Sequence, residues 1–177
     1  MIKTKHRWLI CFFVIVMALA VAIKFRDTTP QYIKECLSEE ETVKRIRALE
    51  DDKVKEVYIT INNSREPVQM LQIVETAGYN DIIKLRVQLD IQKQKLSDLK
   101  ILSHQESDTY GAYAAEDWFM ARFAQKNTST DLRLTKIAAR SEEEIVAVTG
   151  ATITSQAVVD GVNAAFNVFR SYKEGIK

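Results

Sequence analysis

The residues best suited to chemistry form one run near the C-terminal end, Val148-Thr149-Gly150-Ala151-Thr152-Ile153-Thr154-Ser155. A short apolar stretch precedes it, and a helical pattern from Gln156 to about Tyr172 follows. Hydroxyl side chains where a turn becomes a helix have two uses. They cap the first N–H groups, which have no carbonyl partner inside the helix. Alternatively, those N–H groups and the positive end of the helix dipole hold an anion such as a phosphate. On the second reading, Thr152 presents its hydroxyl where the phosphate sits. Gly150 and Ala151 then leave the backbone open to a close-approaching ligand.

Little else in the chain offers reactive groups. His6 and His104 are the only histidines, and Cys11 and Cys36 the only cysteines. Zinc, haem and iron–sulfur sites have almost no ligands to draw on, so no metal site is expected. Cys11 lies in an apolar run, which argues against a disulfide with Cys36. Twenty-five Lys and Arg balance 24 Asp and Glu over 177 residues, whereas a nucleic-acid binder needs a basic stripe. Neither a Gly-x-Ser-x-Gly elbow nor a Gly-Lys-Ser/Thr phosphate loop is present, which removes the common hydrolase and nucleotidase readings. If this chain moves electrons, an organic cofactor must carry them.

The elements that must position the run begin with an apolar segment, Trp8 to Ile23, uninterrupted by charge. As a helix it rises about 24 Å, short of a bilayer core of about 30 Å. Flanking Lys3, Lys5, Arg7, Lys24 and Arg26 can snorkel, with Trp8 and Phe25 at the interfaces, to close the difference. The small triplet Ala18-Leu19-Ala20 admits a cleaved signal peptide instead, but cleavage there would fall inside the apolar run. An uncleaved anchor is the favoured reading. The slight charge asymmetry puts the N-terminus in the cytoplasm and the rest outside. The expected organisation is residues 1–26 as cytoplasmic stub and transmembrane anchor, 27–36 as a linker around Pro30, and 37–177 as one extracytoplasmic domain.

Within that domain, Ser38-Glu39-Glu40-Glu41 fits a capping box, and the spacing of Val43, Ile46 and Leu49 predicts a helix to about Glu50. Lys55 to Asn62 alternates as a strand, Asn62-Asn63-Ser64 is turn chemistry, and Pro67 to Glu75 returns. Ile83, Leu85, Val87, Leu89 and Ile91 alternate with Lys84, Arg86, Gln88 and Asp90, the pattern of a sheet with one buried and one wet face. Leu96 to Ser103 is the partner strand. Ala112 to Lys126 reads as a helix burying Ala115, Phe119 and Phe123 with Trp118 beside them, and Leu132 to Ile137 as a further strand. The last helix carries Val158, Val162, Ala165, Phe166 and Phe169 on one stripe, and Gly161 within it points to close packing against the sheet. The fold class is α+β: a twisted, mostly antiparallel sheet packed with helices, preceded by one N-terminal transmembrane helix.

Thr-Gly-Ala-Thr-x-Thr-Ser, at residues 149–155, resembles the flavinylation motif of the RnfG/NqrC-type FMN-binding domain. Ala77-Gly78-Tyr79 ahead of the alternating strand, the loop His104-Gln105-Glu106-Ser107-Asp108-Thr109-Tyr110-Gly111, and Trp118-Phe119 with Phe123 resemble further landmarks of that family, in the same order. Asp108, Thr109 and Tyr110 replace the family's usual Pro-Gly-Leu, and Val146 stands where it usually carries Asp.

The resemblance implies FMN esterified through its phosphate to Thr152, a threonine that serves as an attachment point and not as a nucleophile in turnover. Tyr79, Glu106, Tyr110 and Gly111 are then candidates for ring or ribityl contacts. Thr154 and Ser155 lie near the phosphate, with Thr149, Gly150 and Ala151 in the supporting turn. A flavin transferase of the ApbE type, using FAD and a divalent metal, would form the bond. Three functions follow as alternatives. One is membership of an Rnf-type ion-translocating ferredoxin:NAD oxidoreductase complex, most like its G subunit; another is a free-standing extracytoplasmic FMN carrier. The third is an anchored interaction domain without a cofactor.

Overall fold

The computed structural model describes residues 29–175. The segment expected to span the membrane, residues 8–23, lies outside them. Among the described residues no helix is long and apolar enough to cross a membrane. The chain divides into two compact units, Met1–Cys36 and Leu37–Lys177. The described part of the first contains one short helix, α1 (Gln31–Lys34), whose first N–H groups follow Pro30.

The second unit is built on a five-stranded antiparallel meander in chain order. Its strands are β1 (Thr42–Arg45), β2 (Val54–Ile61), β3 (Pro67–Ala77), β4 (Ile82–Asp90) and β5 (Lys95–Ser103). The alternating segment is β4 as expected, with Ile83, Leu85, Val87 and Leu89 fully buried. It pairs with β3 from Gln69↔Asp90 to Ala77↔Ile82, and a tight turn closes the hairpin with Gly78 N–H donating to the Asp81 carbonyl at 2.8 Å. The far face of β4 is less wet than the alternation implies, because Arg86 is buried and paired with Asp98 at 2.9 Å.

A 24-residue helix, α3 (Thr152–Gly175), packs on the sheet through β3 and β4. Its stripe of Val158, Val162, Ala165, Phe166 and Phe169 is buried. Gly161 allows the approach: a Cβ there would collide with Leu85 and lie 3.1 Å from Thr76 Cγ2. Gln72 on β3 donates to the Ala165 carbonyl of the helix at 2.9 Å, a second tie between the layers. A short parallel pair, β6 (Arg133–Thr135) and β7 (Glu144–Val146), forms a separate small sheet. Asn163 of α3 fixes its approach by bonding both the N–H and the carbonyl of Leu132, at 2.8 and 2.9 Å.

Three local expectations need correction. Glu41 does reach back to the Ser38 N–H, at 3.5 Å, but no α-helix follows. Residues 42–45 form edge strand β1 against β2, and a single 3-10 turn, Arg47–Leu49, comes next. Pairing with the open edge of β2 outweighs a three-point helical spacing, and Thr42 and Val43 are β-branched. The 112–126 segment is not one helix. It is a 3-10 turn (Gly111–Ala115), the short helix α2 (Asp117–Met120) and a second 3-10 turn (Ala121–Phe123), broken where Glu116 adopts ψ 145°. The break changes the phase, so Ala114 is buried with Phe119 and Phe123 while Ala115 is only half-buried. The last helix begins at Thr152, four residues earlier than its apolar stripe indicates. The sheet and helices otherwise form the α+β architecture expected.

Candidate functional site

Three segments converge at the N-terminus of α3. The first is the turn after β3, Gly78 to Asp81. The second is the loop from His104 to Gly111 that leaves β5. The third is the turn that joins β7 to α3, in which Ala151 N–H donates to the Val148 carbonyl at 3.0 Å. Gly150 in that turn has φ +81°, a left-handed conformation glycine adopts without strain. The space beside it is taken by Tyr110, whose Cδ1 would stand 2.5 Å from a Cβ.

Between these segments lies a cleft of about 380 Å³. Eight of the ten residues singled out from sequence line it: Tyr79, Glu106, Tyr110, Gly111, Gly150, Ala151, Thr152 and Thr154. Thr149 is exposed on the turn, outside the lining. Ser155 is fully buried, and its Oγ accepts the Val148 N–H at 3.0 Å, so it closes the turn from behind. Ser107 and Ile153 also line the cleft and were not singled out. Both sit inside the quoted motifs, and only the phase of the loop and of the helix decides that they face inward.

Glu106 is the most constrained of the set. Its side chain is 6% exposed. One carboxylate oxygen accepts the Asn80 N–H at 3.0 Å and the other accepts the Thr154 hydroxyl. Asn80 Nδ2 also donates to the Gln105 carbonyl at 3.1 Å. The carboxylate thus joins all three segments, and the Glu106 side chain fills the space that a side chain at Gly111 would need: its Cβ would stand 2.6 Å and its Oε2 3.0 Å from a Cβ there. Asn80 had no sequence signal beyond its place after Gly78-Tyr79.

The three hydroxyls of the helix start now separate. Those of Thr154 and Ser155 are committed to internal hydrogen bonds. That of Thr152 is tied to no protein group among the described residues, and the residue is half-buried in the cleft wall. The helix geometry leaves the N–H groups of residues 152–154 without carbonyls four residues back, since Ser155 N–H is the one that reaches the Ala151 carbonyl, at 2.9 Å. A free hydroxyl beside unpaired N–H groups at a positive dipole end suits a phosphate. The cleft volume falls in the range of small-molecule sites, roughly 300–1,000 Å³. Among the described residues no cluster of potential metal ligands exists. Arg122, stacked on Trp118 at 4.8 Å, donates to the Val146 carbonyl and so anchors the strand that feeds the turn.

The model of the FMN-binding domain family matches residues 78–167, just over half of the chain. The chain is 27% identical to the G subunit of the proton-translocating ferredoxin:NAD(+) oxidoreductase complex of Clostridium ljungdahlii, over 97% of this chain and 92% of that one. It is 28% identical to the G subunit of the ion-translocating oxidoreductase complex of Vibrio vulnificus, over 73% of this chain but 62% of that one, less than two thirds of its length. Its fold is similar to the crystal structure of the C subunit of the Na(+)-translocating NADH-quinone reductase of Parabacteroides distasonis. That likeness has a TM-score of 0.56 at 12% identity and covers 73% of this chain and 78% of the other.

Proposed function

The chain belongs to the FMN-binding domain family, and from that premise we propose that it carries FMN esterified through its phosphate to Thr152. We propose further that it relays electrons as one member of a membrane electron-transport complex. The observation that carries the attachment is the free Thr152 hydroxyl at the start of α3, beside N–H groups with no internal acceptor. Bound FMN supplies the redox chemistry, in one- or two-electron steps, and the protein supplies position and electrostatics.

The residues divide the work. The first N–H groups of α3 would hold the phosphate, and Gly150 makes the left-handed turn and leaves room for the Tyr110 ring beside it. Tyr79 and Tyr110 offer aromatic faces at the mouth of the cleft, and Glu106 holds the walls together from beneath. In attachment, Thr152 would supply the hydroxyl oxygen of the phosphoester, with FAD as donor and AMP as the leaving group.

A covalent bond has a physical rationale if residues 8–23 anchor the chain with its domain outside the cytoplasm. A non-covalent site of nanomolar affinity with an on-rate of about 10⁶ M⁻¹s⁻¹ loses its ligand at roughly 10⁻³ per second. No cytoplasmic pool would replace it there. Membership of a complex is supported by the match to the Clostridium ljungdahlii protein over nearly its whole length.

Intact-mass spectrometry of protein made with its transferase tests the reading. The expected increment is FMN minus water, on the peptide that contains Thr152. Thr152→Val removes it and the flavin fluorescence on a denaturing gel while the fold survives. Fluorescence that persists in this variant overturns the assignment. The chain, tagged and drawn from native membranes, is expected to bring other membrane proteins of the complex with it; isolation alone would favour a free-standing carrier.

A further inference from the structure

None of the residues that line the cleft is a lysine or arginine, and the segments they sit in, residues 77–83, 101–121 and 147–155, contain none either, although the chain balances 25 basic against 24 acidic side chains. They carry Asp81, Asp108, Glu116 and Asp117, all exposed. The cations that flank these segments in sequence are Lys84, Lys100, Arg122 and Arg140. Lys84 is paired with Glu75 at 3.9 Å, and Arg122 is stacked on Trp118 and bonded to the Val146 carbonyl. The Arg122 charge is engaged inside the fold.

Large apolar side chains are interleaved with these acids. Tyr79 and Tyr110, at the cleft, are 67% and 56% exposed, and Tyr113 and Trp118 stand out on the turns that continue from Gly111. Exposed aromatic side chains gathered on connected turns mark an interaction surface. The acids around them decide what it accepts. A one-sign field steers opposite charge toward itself and rejects like charge.

We propose that this acidic, aromatic rim docks a redox partner that presents a lysine- and arginine-rich surface. The redox part rests on the FMN reading above; the docking part rests on the rim alone. Partner residues seated on Tyr79 and Tyr110 cover the mouth of the cleft, and Tyr113 and Trp118 extend the contact along the turns after Gly111, which brings the partner's redox centre toward the cofactor site. Asp108, Glu116 and Asp117 fix its orientation and raise its encounter rate.

The test uses the full chain in detergent and cytochrome c as a cationic redox probe, with lysine-acetylated cytochrome c as the neutralised control. Binding is measured by calorimetry with and without FMN, at low and high ionic strength. The expected result is binding that weakens with salt and with acetylation. The variant Asp108→Asn/Glu116→Gln/Asp117→Asn is expected to bind roughly tenfold more weakly. Glu39→Gln/Glu40→Gln/Glu41→Gln removes equal charge from elsewhere and is expected to bind as the parent does. Equal losses in both variants, or salt-independent binding, overturn the proposal. Reduction of ferric cytochrome c by the photoreduced, FMN-loaded chain should slow in the first variant only. If no flavin loads but the two variants still differ in binding, the docking surface stands and the FMN reading falls.

Discussion

At the scale of single residues, the site turns on how two oxygens of one carboxylate are spent. Glu106 accepts from Asn80 N–H and from the Thr154 hydroxyl, and it is nearly closed to solvent. A group so occupied acts first on the protein and only through it on a ligand. Glu106→Ala leaves the buried Thr154 hydroxyl and the Asn80 N–H without acceptors, an expected loss of about 1–3 kcal/mol. Glu106→Gln keeps one oxygen as an acceptor and is expected to lose less. Urea unfolding of both variants checks this; an unchanged midpoint in Glu106→Ala, with flavin lost, would make Glu106 a ligand contact instead. The same scale shows why the sequence ranks Thr152, Thr154 and Ser155 only by resemblance. Successive residues on a helix are turned by about 100°, so their directions depend on where the helix starts. With α3 beginning at Thr152, two hydroxyls turn inward to Glu106 and Val148, and Thr152 is left free.

Among the elements, α3 sets that phase, and its depth against the sheet is set by Gly161. Replacing Gly161 by Ala should gain about 1 kcal/mol of helix propensity. The added methyl would meet Leu85 and Thr76 on two packed strands, and overpacking of that kind costs about 1–3 kcal/mol. The net expectation is a less stable protein, read by calorimetry as a lower Tm; a rise would mean that the helix can lift from the sheet at little cost. Periodicity made this element and β2 to β5 legible, because each is long enough for its apolar face to repeat. It failed for β1, a four-residue edge whose identity comes from pairing with Ile61 to Tyr58, residues distant in sequence. It also failed at Glu116, where the chain breaks so that Ala114, Phe119 and Phe123 can all be buried. Contacts far along the chain decide both places, and no local pattern records them.

For the whole molecule, a net charge of +1 at neutral pH gives little global repulsion, so the pH limits of the fold fall to particular groups. On the acid side, the hydrogen bond from Arg45 to Glu50, at 2.7 Å, holds the Glu50 carboxyl below its ordinary value. Asp90 is also lowered: burial pushes it up, but the Lys93 and Gln92 N–H groups and the Lys93 ammonium more than offset that. A carboxyl lowered by folding stabilises the protein above its unfolded value of about 4. That contribution is lost as pH falls through the folded one. On the alkaline side, Tyr58 is pushed up to about 12 by burial and by the hydrogen bond it donates to Glu56. Its contribution is complete below the unfolded value of about 10 and is lost as pH rises toward the folded one. A plateau of unfolding free energy between these limits, followed as a plateau of Tm, is the expected profile. Glu50→Gln should lower the plateau by about 0.5–1 kcal/mol, the worth of a partly exposed pair, and flatten the acid limb while the alkaline limb stays. Tyr58→Phe should do the reverse, flattening only the loss above about 10. Melting curves across pH check both, and an acid limb that is equally steep in Glu50→Gln would move the acid sensitivity of the fold to other carboxylates.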